Sequence, residues 1–133
     1  MEITTDINKI NSVLKHPDIW SRVSDKSQNI DEFTPPMDGI TYLYEEGVLI
    51  ILHPEGDKHR IHVNVILEHR DKALAATAEA FKYGFEVLGA REIIAKIPEK
   101  YGSVYGFALK FMNDNGIIDG DHILSLEKEE WAL

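Results

Sequence analysis

His62-Val63-Asn64-Val65-Ile66-Leu67-Glu68-His69-Arg70-Asp71-Lys72-Ala73-Leu74-Ala75 changes its periodicity halfway along, and that change decides the fold class. Over residues 59–67 the side chains alternate. Ile61, Val63, Val65 and Leu67 point one way, and Arg60, His62, Asn64 and Ile66 point the other, which is the two-residue period of a strand. Further on, Leu74, Ala78, Phe81, Phe85 and Leu88 step by four, three, four and three. That spacing predicts one apolar helix face over residues 72–88, ended by Gly89. Residues 91–97 then read as another strand, stopped by Pro98. Strand, helix and strand in this order imply a parallel pair joined by a crossover helix.

On the N-terminal side, residues 40–44 and 48–53 are strand-like runs joined by Glu45-Glu46-Gly47, a hairpin connection. Val48-Leu49-Ile50-Ile51-Leu52 is apolar throughout, so both faces of that strand should be covered, and Pro54-Glu55-Gly56-Asp57 turns into the next. Before the hairpin, residues 24–39 carry Pro35-Pro36 and read as a long loop. Earlier still, Ile7, Ile10, Val13 and Leu14 form a helical stripe. His16-Pro17-Asp18 breaks it, because Pro17 disfavours helix at His16 while suiting the first position of a new helix, 18–23. On the C-terminal side, residues 103–113 predict an amphipathic helix with Val104, Phe107, Ala108 and Phe111 inward. Asn115-Gly116 would end it, and 122–126 would be a last strand. The expected class is α/β: antiparallel N-terminal strands, then β-α-β-α-β around a mixed central sheet, with helices on both faces.

The chain has 133 residues, which suits one domain (1–133) with one core. Hydrophobic residues at 44% against 28% charged give an ordinary globular balance. The absence of cysteine excludes thiolate chemistry and cysteine-based metal centres. The formal net charge of −9 opposes nucleic-acid binding, which draws its affinity from Lys and Arg on phosphates. No apolar run approaches the roughly 20 residues of a membrane span. Met1-Glu2-Ile3-Thr4-Thr5-Asp6 lacks the basic-then-apolar order of a signal peptide, so the expected location is the cytoplasm.

The opening stretch resembles the acyl-CoA motif of the GNAT superfamily of N-acyltransferases. In that family Arg/Gln-x-x-Gly-x-Gly/Ala follows a strand and opens a helix. Backbone N–H groups and the positive end of the helix dipole there meet the pyrophosphate of CoA. Arg70 matches the first position and Ala75 the last. Ala73 stands where the family prefers Gly, and Asp71 where a small or neutral residue is usual. The Cβ at 73 narrows the backbone's approach, and the anion at 71 repels phosphate. As the start of a helix, Asp71 reads more simply as a cap. Other pieces follow in order. Gly89-Ala90-Arg91-Glu92-Ile93-Ile94-Ala95-Lys96-Ile97-Pro98 resembles the family's next strand. Residues 105–117 resemble the helix of form Asn-x-x-Ser/Ala ending in Gly-Phe, with Tyr105 for the Asn and Ile117 for the Phe. Met112 stands where many members carry an acid-donating Tyr. Residues 124–131 resemble the final strand and tail of the ribosomal-protein acetyltransferase branch. His16-Pro17-Asp18-Ile19-Trp20 and His53-Pro54 resemble small GNAT-like proteins of tailed phages, some labelled as head-assembly proteins. A phage origin would make the location the host cytoplasm.

The resemblance implies acetyl-CoA as co-substrate and direct attack by an amine, either a small amine or a protein N-terminus; it allows a homodimer. Its cofactor segment would comprise Ile66, Leu67, Arg70, Asp71, Lys72, Ala73, Leu74 and Ala75, with N–H groups near Ile66 and Leu67 polarising the acetyl carbonyl. His62 is the candidate base, since an unperturbed imidazole titrates near 6.5; the alternative is a strand histidine facing solvent or hydrogen-bonded in the sheet. Tyr105 is the candidate acid, with amphipathic packing as its alternative, and Tyr101 and Glu68 are lesser candidates. His59, His62 and His69 make a poor zinc site, because the i, i+3 pair lies on opposite faces of a strand. Trp20 and Trp131 read as packing residues or an edge contact. The competing class is a GNAT-like domain without catalysis, acting in binding or phage assembly.

Overall fold

The computed structural model describes residues 1–25 and 27–132. Among them, seven strands hydrogen-bond in the order β1-β2-β3-β4-β5-β7-β6, and five α-helices accompany them. The strands are β1 (Glu2–Ile3), β2 (Thr41–Glu45), β3 (Val48–Glu55), β4 (Lys58–Val65), β5 (Glu92–Pro98), β6 (Asn113–Ile118) and β7 (Asp121–Glu127). The helices are α1 (Ile7–Leu14), α2 (Pro17–Val23), α3 (Ala73–Glu86), α4 (Gly102–Ala108) and α5 (Lys128–Trp131), with a 3-10 helix, Leu67–Lys72, leading directly into α3. The mixed α/β class expected from the sequence is the one found. The chain divides into two compact units, Met1–His53 with His62–Ala80, and Pro54–Ile61 with Phe81–Leu133.

In the first unit Asp6 caps α1, its carboxylate accepting the N–H groups of Asn8 at 2.9 Å and Lys9 at 3.4 Å. The helix buries Ile10, Val13 and Leu14, whereas Ile7, counted in the same stripe, stays 42% exposed in the first turn. His16 ends the run and caps the next helix, its Nδ1 accepting Asp18 N–H at 3.0 Å while Pro17 takes the first helical position. β2 and β3 form an antiparallel hairpin that places Glu45 opposite Val48 across the turn Glu46-Gly47. Val48, Leu49, Ile50 and Leu52 are buried, as an unbroken apolar strand requires. Ile10, Val13, Leu14, Ile19, Tyr42, Leu49 and Ile66 make the core, and Phe33 closes it edge-on to Trp20 with ring centroids 5.3 Å apart.

In the second unit β5 pairs antiparallel with β7 from Glu92–Glu127 to Pro98–Asp121. It pairs parallel with β4 at His59–Ile93 and Arg60–Ile94, the orientation expected for a crossover connection. Phe81 stacks on Phe111 at 5.5 Å and Phe85 on Trp131 at 5.2 Å, so Trp131, like Trp20, is a packing residue.

Four expectations need correction. The inward face of α3 is not the Leu74–Ala78 line: Leu74 is 52% exposed and Ala78 is exposed, while Ala76, Thr77, Ala80, Phe81 and Phe85 are buried. Small residues bring a helix axis close to what it packs on, and counting large side chains overlooks them. β4 ends at Val65, so Leu67 is not a strand residue but an exposed first residue of the 3-10 helix. The second amphipathic helix stops at Ala108, and Phe107 and Phe111 are only half-buried. Finally, residues 113–118 form β6, an exposed edge strand paired with β7, with a bulge between Asp114 and Ile117. Asn113-Asp114-Asn115-Gly116 is a poor helix former whose side chains bond locally, Asp114 Oδ1 accepting Gly116 N–H at 2.7 Å.

Candidate functional site

β4 carries His62 and Asn64 two residues apart, on one face. Asn64 is buried, and its Nδ2 donates to the Leu49 carbonyl at 3.3 Å, so it fastens β4 to β3. His62 is half-buried and meets His53 of β3: the two Nε2 atoms are 3.2 Å apart, with ring planes 12° from parallel and centroids 5.3 Å apart. At that separation one Nε2 carries a proton and donates it to the other. The partner was within reach of the sequence. Counting outward from the turn Gly56-Asp57 puts positions 53 and 62 on the same face of the hairpin, one diagonal step apart.

The segment after β4 is a packed helical turn. Ile66 N–H donates to the Gly47 carbonyl at 2.9 Å, Leu67 N–H to Asp18 Oδ2 at 3.0 Å, and His69 N–H to the Ile66 carbonyl at 2.8 Å. Ala73 N–H goes back to the Arg70 carbonyl, continuing the three-residue bonding of the 3-10 helix into α3. Lys72 Nζ donates to the Glu46 carbonyl at 3.1 Å, and the His69 ring lies against Gly47. The whole turn therefore docks on the β2–β3 hairpin and on the half-buried Asp18 of α2. Arg70, Asp71, Leu74 and Ala75 are exposed. For a pyrophosphate, the segment offers the Arg70 guanidinium, but the N–H groups of Ile66, Leu67 and Ala73 already have acceptors and Asp71 adds a repelling charge. Asp18 lies 49 residues before Leu67, and no local pattern announces that contact.

Tyr105 belongs to the second unit, on α4. Its hydroxyl donates to Asp114 Oδ2 on β6, and its ring stacks on His122 of β7 with centroids 3.7 Å apart. That hydrogen bond, with burial and the carboxylate's charge behind it, raises the Tyr105 pKa above the ordinary phenol value. Asp114 is held below the usual carboxylate range by the same bond, then by the Gly116 N–H and the charge of His122. Tyr105 is thus a worse proton donor than a free tyrosine. Met112 is buried and has no proton to give. The sequence reading missed Asp114 and His122, because it ran α4 through the strand that carries Asp114. Among the described residues no group of three His, Asp or Glu side chains could hold a metal ion, and no helix is long and apolar enough to cross a membrane.

No protein-family model matches the sequence and no curated protein matches it, so likeness to known proteins rests on the fold. The N-acetyltransferase PseH of Campylobacter jejuni, solved in complex with acetyl coenzyme A, superposes with a TM-score of 0.60 at 12% identity, over 69% of this chain and 70% of that one. A spermidine N-acetyltransferase SpeG chimera from Vibrio cholerae and hSSAT gives a TM-score of 0.56 at 13% identity, over 71% and 69%. A GNAT-family acetyltransferase from Bacillus anthracis gives 0.57 at 20%, over 69% and 68%. The fold is the one these acetyltransferases share.

Proposed function

We propose that the chain is an acyl-CoA-dependent N-acyltransferase that moves acetyl slowly from acetyl-CoA to an amine by direct attack. The observation that carries this reading is an imidazole pair on β3 and β4, just before the strand–turn–helix segment, within the fold of N-acetyltransferases. His62 takes a proton from the ammonium form of the acceptor. The neutral nitrogen then attacks the thioester carbonyl carbon, the C–N bond forms, the C–S bond breaks, and the thiolate leaves. The acylated nitrogen gives up its second proton to water, and water passes one to the thiolate, because the Tyr105 proton is engaged by Asp114 and Met112 has none. Weak CoA binding follows from the occupied N–H groups, with Arg70 as the main attraction. The acidic balance favours a cationic acceptor, a small amine or a protein N-terminus. Calorimetric titration with acetyl-CoA and CoA, followed by thiol release against a panel of amines and N-terminal peptides, tests the reading. Slow release abolished by His62→Ala supports it; rapid turnover indifferent to His62→Ala removes His62 as the base.

A second reading, a GNAT-like domain with a binding or phage-assembly role and no catalysis, is favoured by those same occupied donors. Absence of acetyl-CoA binding at millimolar ligand would favour it. Asp71→Gly with Ala73→Gly separates the two further. If the segment still serves CoA, removing the anion and loosening the turn should tighten binding several-fold in the same titration; unchanged affinity would mean that it no longer does.

A further inference from the structure

Pro17 opens α2, and the cap of that helix is His16, whose Nδ1 accepts the Asp18 N–H at 3.0 Å. The Asp18 carboxylate is therefore not spent on capping its own helix. Its Oδ2 accepts the Leu67 N–H at 3.0 Å, across 49 residues, and lies 3.5 Å from His16 Nδ1. The other bonded N–H groups of the segment go elsewhere. Ile66, His69 and Ala73 donate to the backbone carbonyls of Gly47, Ile66 and Arg70, and those bonds open only if the turn itself unwinds. Leu67 donates to a side chain, which rotation about its own bonds withdraws while the backbone stays in place. Resting on the acyltransferase reading, we infer that Asp18 is an autoinhibitory stand-in for the ligand: its carboxylate holds the Leu67 N–H until an oxygen of acetyl-CoA displaces it. That oxygen belongs to the acyl carbonyl or to a phosphate, since either can accept from one N–H. Asp18 opposes the ligand in two ways. It fills the donor, and it adds a negative charge to a segment that already carries Glu68 and Asp71.

The experiment is calorimetric titration of the intact protein with acetyl-CoA and with CoA, for the wild type, Asp18→Asn and Asp18→Ala, with amide NMR of Leu67 alongside. Both variants keep the N–H of residue 18, and so the bond to His16 that caps α2. Asn removes the charge and keeps an acceptor oxygen; Ala removes both. Asp18→Ala should tighten acetyl-CoA binding about 10-fold, and Asp18→Asn by no more than about 3-fold. A gain confined to acetyl-CoA gives the Leu67 N–H to the acyl carbonyl, and an equal gain with CoA gives it to a phosphate; either supports the inference. The Leu67 amide proton should move upfield and exchange faster in Asp18→Ala, then return downfield when acetyl-CoA binds. Equal affinities in wild type and Asp18→Ala would overturn the inference. So would equal gains in the two variants, which would reduce Asp18 to its charge, or a Leu67 amide unmoved by Asp18→Ala. If the wild type and both variants bind neither ligand, the acyltransferase reading falls and the inference with it. A wild type that binds, with no gain in Asp18→Ala, leaves that reading standing and removes Asp18 alone.

Discussion

Gly47 meets two constraints at once. Its φ of +78° is one that residues with a Cβ adopt reluctantly, and a Cβ built there would lie 2.1 Å from His69 Cδ2. Gly47→Ala should therefore destabilise the protein by about 2 kcal/mol or more, read from the midpoint of urea unfolding. His69→Ala removes the ring from that contact but leaves its own Cβ 2.8 Å from the new one, and the backbone strain with it, so Gly47→Ala should cost less, though not nothing, in that background, a coupling visible in a double-mutant cycle. Tyr105 and Asp114 give a second residue-level expectation, in pH. The Asp114 pKa is depressed in the fold, so its contribution is present above the unfolded carboxylate value of about 4 and is lost as pH falls through the folded value. Tyr105 is raised, so its contribution is present below about 10 and lost as pH rises through the folded value. Asp114→Asn should bring the Tyr105 phenol back toward the ordinary range, seen in an ultraviolet titration of difference spectra. An unchanged Tyr105 titration would mean that the bond to Asp114 is absent in solution.

Among the elements, α3 separates position from size. Leu74→Ser, on the exposed side, should change stability by no more than about 0.5 kcal/mol, whereas Phe85→Ala, fully buried, should cost about 3–5 kcal/mol in chemical denaturation. A large loss at Leu74 would mean that the face is covered in solution. The sequence carried the elements that announce themselves locally: the break at Pro17, the turn at Gly47, the unbroken apolar run of β3, the alternation in β4. It did not carry β6, because all six of its residues are exposed and no period survives; that strand exists through backbone pairing with β7. The candidate site divides in the same way. His62 was visible as a strand residue, and His53 could be reached by counting across the turn. The bond from Leu67 to Asp18, which helps close the segment after β4, joins distant residues and leaves no local trace.

For the molecule as a whole, the two units are interleaved along the chain. The backbone leaves the first at His53, returns to it at His62 and leaves again after Ala80. Residues 81–133 alone would lack His59 and Arg60, the parallel partners of Ile93 and Ile94. We expect a single cooperative domain. Trp20 reports on the first unit and Trp131 on the second, so Trp20→Phe and Trp131→Phe each leave one local fluorophore. Coincident urea transitions from the two variants, corrected for their own stabilities, should agree with far-ultraviolet dichroism; separated transitions would divide the chain into two domains. The unbroken passage from the 3-10 helix Leu67–Lys72 into α3 also bears on the timing of binding. An anion that needs those N–H groups must wait for the turn to unravel, and its apparent affinity is the intrinsic one multiplied by the fraction of molecules already open. With about one molecule in a hundred open, affinity falls about a hundred-fold, and the association rate levels off at the opening rate as ligand concentration rises.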